Sequence, residues 1–95
     1  MAEAEVEVRN PSGLHARPAA AFVRAAGGFS ADVRVTNLTR DGREANAKSV
    51  LGVMGLGVSQ GHRIRIAAEG VDAGEAVARL TELVASGLGE EIGGS

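Results

Sequence analysis

The stretch Ala31-Asp32-Val33-Arg34-Val35-Thr36-Asn37-Leu38-Thr39-Arg40-Asp41-Gly42-Arg43-Glu44-Ala45 decides how this chain folds. Ala31, Val33 and Val35 alternate with Asp32, Arg34 and Thr36, the period-two pattern of a strand with one buried face. Arg40-Asp41-Gly42 supplies a hairpin turn, and a short strand returns through Glu44 and Ala45. Upstream, Val6 and Val8 alternate with Glu5, Glu7 and Arg9 in a half-buried first strand, which Asn10-Pro11-Ser12-Gly13 ends with turn chemistry. Pro18 suits a first helical turn, where its missing N–H costs nothing. Ala19, Phe22, Val23 and Ala26 then form an apolar stripe, and Gly27-Gly28 close that helix. Downstream, Ser49 is a candidate N-cap for a short helix holding Val50, Leu51, Val53 and Met54, kept brief by the glycines from Gly52 to Gly61. Ile64, Ile66 and Ala68 alternate with Arg63, Arg65 and Ala67 in a last strand. Asp72 and Glu75 are spaced like a capping box before a helix whose Ala76, Val77, Leu80, Leu83 and Val84 recur at helical spacing, with Gly87 at its exit. The order β-α-β-β-α-β-α is a split α+β arrangement with helices covering one sheet face. These patterns do not set the strand order.

Ninety-five residues allow one small domain, expected to span 1–95 with Gly89 to Ser95 as a frayed tail. Val, Leu, Ile and Phe make up 23 residues against a net charge of −2, a globular balance. A chain of this size hides only roughly 60–70% of its unfolded surface, so the core is built from small pieces, with Phe22 and Phe29 the two aromatics. No apolar run approaches the ~20 residues that cross a bilayer, so membrane insertion is not expected. Twelve acids against ten bases argue against nucleic acid as a partner. The acidic start, Met1 to Glu7, is unlike a leader peptide, and the absence of cysteine removes disulfides and thiolate zinc sites. A cytoplasmic setting, with no metal and no cofactor, is the resulting expectation.

Three motifs read as structural. Gly57-Val58-Ser59-Gln60-Gly61 matches G-x-S-x-G, but a nucleophile elbow needs a strand before it and a helix after it, the reverse of the order here. Gly52, Gly55 and Gly57 lack the Lys-Ser/Thr ending of a phosphate loop. His62, beside a strand start, is expected to be a solvated turn residue.

Gly13-Leu14-His15-Ala16-Arg17-Pro18 is different. His15 lies immediately before a helix whose first turn leaves N–H groups unpaired and carries roughly half a positive charge. An anion attached to His15 would face those donors, with the Arg17 guanidinium nearby. A lone histidine at a helix start is commonly only a cap, and both readings stand on the residues alone. With no second ligand close in sequence, the pattern favours a phosphoryl group over a metal.

Gly13 to Pro18, continued by Ala19-Ala20 and Phe22-Val23, resembles the phosphohistidine signature of HPr, the histidine-containing phosphocarrier family of the bacterial phosphoenolpyruvate-dependent sugar phosphotransferase system. Asn46-Ala47-Lys48-Ser49-Val50-Leu51-Gly52-Val53-Met54 resembles that family's regulatory serine region. Leu56-Gly57, Gln60-Gly61 and Ala68-Glu69-Gly70 continue the match. The resemblance spans nearly the whole chain. The hairpin Asn37 to Arg43 looks a few residues longer than in common members, and Gly55 replaces a polar residue.

The resemblance implies an open-faced β-sandwich, a four-stranded antiparallel sheet with three helices on one face. It implies that His15 accepts phosphate on Nδ1 from phosphorylated enzyme I and passes it to IIA components of sugar permeases, while Arg17 pairs with the phosphoryl oxygens. Ser49 matches the serine modified by an HPr kinase/phosphorylase, and a transcriptional regulator joins the implied partners. Ala16, Ala20, Arg24, Val50, Leu51 and Met54 fall where the family presents its partner surface, on a chain expected to be a monomer. The role implied is that of a stoichiometric carrier, not an enzyme. A small phosphatase should show a further Arg-His or Arg-Asn constellation, which is not found. A nitrogen-type relay or a regulatory paralogue of the same fold is the alternative. Ser49 is at the same time an ordinary N-cap, and the two roles are compatible, because a helix start tolerates a phosphate.

Overall fold

The computed structural model describes residues 1–90, in seven elements: β1 (Ala2–Glu7), α1 (Ala16–Gly27), β2 (Asp32–Asn37), β3 (Glu44–Asn46), α2 (Val50–Gly55), β4 (Arg63–Glu69) and α3 (Ala73–Ala85). The strands form one sheet in the order β1-β4-β2-β3, antiparallel at every pairing. The last strand in sequence therefore lies between the first two. In register, Ala4, Ile66, Val35 and Ala45 form one row across all four strands. With Ile64 and Val33 they face the helices, and Ile64, Ile66, Val33 and Val35 are fully buried. Side chains alternate across a strand, so Glu3, Glu5, Arg63, Arg65, Arg34 and Asp32 occupy the open face. There Arg65 lies 3.6 Å from Glu3 and 3.8 Å from Glu5, exposed pairs that contribute at most about 1 kcal/mol each. This is the open-faced α+β sandwich.

The first strand begins earlier than its valines suggest. Ala2 and Ala4 pair with Ala68 and Ile66, while Val8 lies one residue beyond the strand, fully buried. Val8 still bonds across, its N–H to His62 O at 2.8 Å and its carbonyl from Gly61 N at 2.7 Å. Small alanines carry little pattern signal, and the strand shows only when its partner is known.

On α1 the buried face is Pro18, Ala19, Phe22 and Ala26. It ends at Gly28 with φ −78°, so glycine's left-handed freedom is not used there. α3 lies over β1 and β4 and packs on α1, burying Ala73, Ala76, Val77, Leu80 and Val84. It ends in a Schellman motif, with Gly87 N–H bonded to Val84 O and Leu88 N–H to Leu83 O, both at 3.1 Å. At its start the expected capping box is absent, because the Asp72 side chain makes no cap bond. Its carboxylate instead accepts from Ser30 N–H and Ala31 N–H, each at 2.8 Å, tying α3 to the turn before β2. The Ser30 bond leads in holding this carboxyl below its ordinary value of 3.8; partial desolvation opposes it, while Ala31 and the Lys48 charge assist. The hairpin tip puts Asp41 and Gly42 at φ 54° and 65°, and the connection is organised by buried Asn37, whose Oδ1 accepts from Thr39 N–H and Arg40 N–H. Of the expected tail, Gly89 and Glu90 are described, and Glu90 is bonded to the turn at 10–12. The rest of that expectation, 91–95, lies outside the described residues.

Candidate functional site

The site begins with the turn that ends β1. Asn10 is fully buried, and its Nδ2 donates to Gly13 O at 3.0 Å while Gly13 N–H returns to Asn10 O at 3.1 Å. Gly13 has φ +60° and sits against the next layer so closely that a Cβ would lie 2.3 Å from Val58 O. The neighbouring Leu14, also fully buried, donates its N–H to the same Val58 O at 3.1 Å. Backbone pressed on backbone thus seats the segment leading to His15.

The seat itself is held by His62. His62 stands in the turn before β4, as expected, but it is half-buried, and its Nδ1 lies 3.1 Å from Ser59 N and 3.4 Å from Asn37 Nδ2. An amide can only donate, so Nδ1 is the unprotonated ring nitrogen. The packing leaves this histidine a supporting part. The G-x-S-x-G stretch lies between α2 and β4, with no elbow geometry.

His15 is the residue before α1, in extended backbone at φ −127° and ψ 161°, and its side chain makes no cap hydrogen bond. The bland capping role is therefore not used, and the half-buried imidazole is left unengaged by the helix it precedes. Pro18 has no N–H and Ala19 N–H turns back to His15 O at 3.4 Å. The first-turn donors left are Ala16 and Arg17 N–H. Ala16 itself stands at φ +50°, a left-handed alanine that costs about 1–2 kcal/mol. Strain of this kind persists only where the surroundings over-determine the backbone, here the docked Gly13-Leu14 on one side and buried Pro18 on the other. The Arg17 side chain is exposed and makes no ion pair among the described residues. An imidazole nitrogen, two amides and a guanidinium at the positive end of a helix suit a tetrahedral oxyanion.

A family model described as "PTS HPr component phosphorylation site" matches residues 2–86. The chain belongs to the HPr family. Among curated relatives, the multiphosphoryl transfer protein of Escherichia coli O157:H7 is 46% identical over 87 residues, covering 92% of this chain and 23% of that protein. The chain thus spans about a quarter of the length of that relative. The HPr-like protein Crh of Bacillus subtilis is 45% identical over 84 residues, covering 88% of this chain and 95% of Crh. Among solved structures, HPr-C-His from Thermoanaerobacter tengcongensis superposes with a TM-score of 0.90 at 47% identity, covering 97% of this chain and all of that one. The phosphocarrier protein HPr from Bacillus anthracis gives 0.82 at 42%, covering 87% and 95%.

The residues expected at a partner surface fall on two packed helices. Ala16, Arg17 and Arg24 are exposed and Ala20 half-buried on α1, which packs on α2. On α2, Val53 is buried, whereas Val50, Leu51 and Met54 are 41%, 82% and 38% exposed, an apolar cluster facing outward. Ser49 caps α2, its Oγ accepting from Gly52 N–H at 3.0 Å. A cleft of about 490 Å³ joins Arg17, Ala20 and Arg24 to Leu88 and Glu90 at the end of the described chain. The part played by Glu90 has no local signal, because its partners lie 78 and 80 residues away. Among the described residues no helix is long and apolar enough to cross a membrane.

Proposed function

We propose that this chain is a phosphocarrier: the lone pair of His15 Nδ1 attacks the phosphorus held by phosphorylated enzyme I, the P–N bond to His15 forms as the bond to the donor breaks, and a IIA component later takes the group in the same way. The observation that carries this reading is an imidazole at the head of α1 that does not cap it. An unprotonated imidazole nitrogen with no cap bond to make is available as a nucleophile. Phosphoryl transfer asks mainly for alignment and charge neutralisation, which the Ala16 and Arg17 amides and the Arg17 guanidinium begin and an incoming partner completes. The helix charge contributes only ~0.3–2 kcal/mol, and each ~1.4 kcal/mol of further holding would shift the transfer equilibrium tenfold. Weak holding suits a relay. The exposed Val50, Leu51 and Met54, beside Ala20 and Arg24, form the docking surface in this reading, with Ser49 at its rim as the regulatory site.

The test is incubation with enzyme I and labelled phosphoenolpyruvate, followed by addition of a IIA component. Acid-labile label should enter the chain and leave again. Label that never enters would refute the carrier role, and label that enters but leaves to no acceptor would favour a regulatory paralogue.

A further inference from the structure

Beyond α3 the chain reverses onto the loop that bears His15. Gly87, Leu88 and Gly89 all take positive φ, at 99°, 54° and 88°. Leu88 accepts left-handed strain of about 1–2 kcal/mol while burying its side chain in the core. What the turn delivers is Glu90, whose Oε1 accepts from Asn10 Nδ2 and from Ser12 N–H, each at 3.0 Å, and whose Oε2 accepts from Ser12 Oγ at 2.8 Å. Bonds to an ionised acceptor are roughly twice as strong as neutral ones, and both oxygens are engaged. The Asn10 bond, then the two from Ser12, hold this carboxyl below its ordinary value. Although Arg17 lines the same cleft, it forms no ion pair with Glu90. The carboxylate is turned to the loop, and among the described residues the guanidinium has no acidic partner.

We propose that Glu90 is a positioning residue for phosphoryl transfer at His15, locking the Asn10–Ser12 turn and, through Gly13 and Leu14, fixing the approach of the imidazole without touching the phosphoryl group. The inference rests on the phosphocarrier reading of His15. Its physical basis is leverage: Asn10 also donates to Gly13 O, so Glu90 grips the residue that shapes the turn three residues ahead of the seat on Val58. Misplacement of a reacting group by about 1 Å can cost up to ~100-fold in rate.

The test compares the full chain with Glu90→Ala and Glu90→Gln. Phosphorylation is followed over a range of enzyme I concentrations, with Tm and amide hydrogen exchange measured alongside. Glu90→Ala should lower the maximal rate about three- to tenfold with apparent affinity for enzyme I within about twofold. The Ser12 and Leu14 amides should exchange about tenfold faster, while the variant stays folded at the assay temperature. Glu90→Gln keeps the reach and one accepting oxygen for Ser12, and should recover part of the rate. Faster exchange with an unchanged maximal rate would overturn the inference, leaving a structural tie only. A loss confined to apparent affinity would overturn it by making Glu90 a docking residue. If the unaltered chain takes no phosphate, the carrier reading falls and this inference with it, a result the unaltered control separates from the other two.

Discussion

Gly13→Ala isolates the contact on which the site is built. The new methyl would lie 2.3 Å from Val58 O and 2.9 Å from Ser59 Cα, where real contacts stay beyond 3.0 Å, so the loop must retreat by about 0.7 Å. Both neighbours are backbone, which cannot swing aside as a flexible side chain can. The same Val58 oxygen accepts the 3.1 Å bond from Leu14 N–H, and a retreat of that size breaks it. A buried N–H left unmade costs about 1–3 kcal/mol. The left-handed backbone, φ +60°, adds about 1–2 kcal/mol for alanine over glycine. Together these give about 2–5 kcal/mol out of the ~5–15 kcal/mol that stabilises a small domain. Tm should fall by at least about 8 °C. Gly42→Ala is the internal control, because it has the same handedness at φ +65° with nothing within 4 Å of its Cβ and should show the backbone part alone. Urea unfolding of the two variants gives the difference. Equal destabilisation would refute the claim that contact with Val58, rather than backbone conformation, fixes Gly13.

Arg17→Ala should slow phosphoryl transfer in both directions, with the deficit shrinking at high salt, since this exposed charge is screened; equal rates at low salt would make Arg17 a solvated residue only. Ser49→Ala removes the acceptor for Gly52 N–H and should cost about 0.5–2 kcal/mol in urea unfolding. Ser49→Asp retains an acceptor at the favourable helix end, so Tm should stay near that of the unaltered chain while phosphorylation by enzyme I slows through weaker binding, as titration of enzyme I would show. Asp72 has a folded pKa below 3.8, so its stabilising effect is present above that value and is lost as pH falls through the folded pKa. Asp72→Asn should therefore be less stable than the unaltered chain at neutral pH, with the gap in Tm narrowing on acidification; a constant gap would contradict the assigned bonds to Ser30 and Ala31.

Much of the fold is legible because its signals are local. Alternation in Ala31 to Val35, the stripe of Ala19, Phe22 and Ala26, and the Ser49 cap each lie within a few residues of what they specify. Strand order is not local. Nothing within Arg63–Glu69 states that it lies between β1 and β2, and only Ile64 and Ile66, fully buried, show its central place once the sheet is assembled. Polar side chains hide their partners for the same reason. Asp72 has the spacing of a cap but bonds to Ser30, 42 residues away, and His62 is held by Asn37 as well as by its neighbour Ser59. At the site, Gly13 to Pro18 shows its chemistry in sequence. The Val58 seat and the Glu90 tie belong to segments far along the chain, and appear only when the elements pack.

Whether His15 carries the phosphoryl group is decided by imidazole NMR of the histidine-labelled chain before and after treatment with enzyme I and phosphoenolpyruvate. The His15 ring resonances should move to those of an Nδ1-phosphorylated imidazole while His62, bonded to Ser59, stays unchanged, and the His15→Ala variant should take no acid-labile phosphate. Phosphate on His62, or undiminished labelling of His15→Ala, would show that His15 is not the carrier.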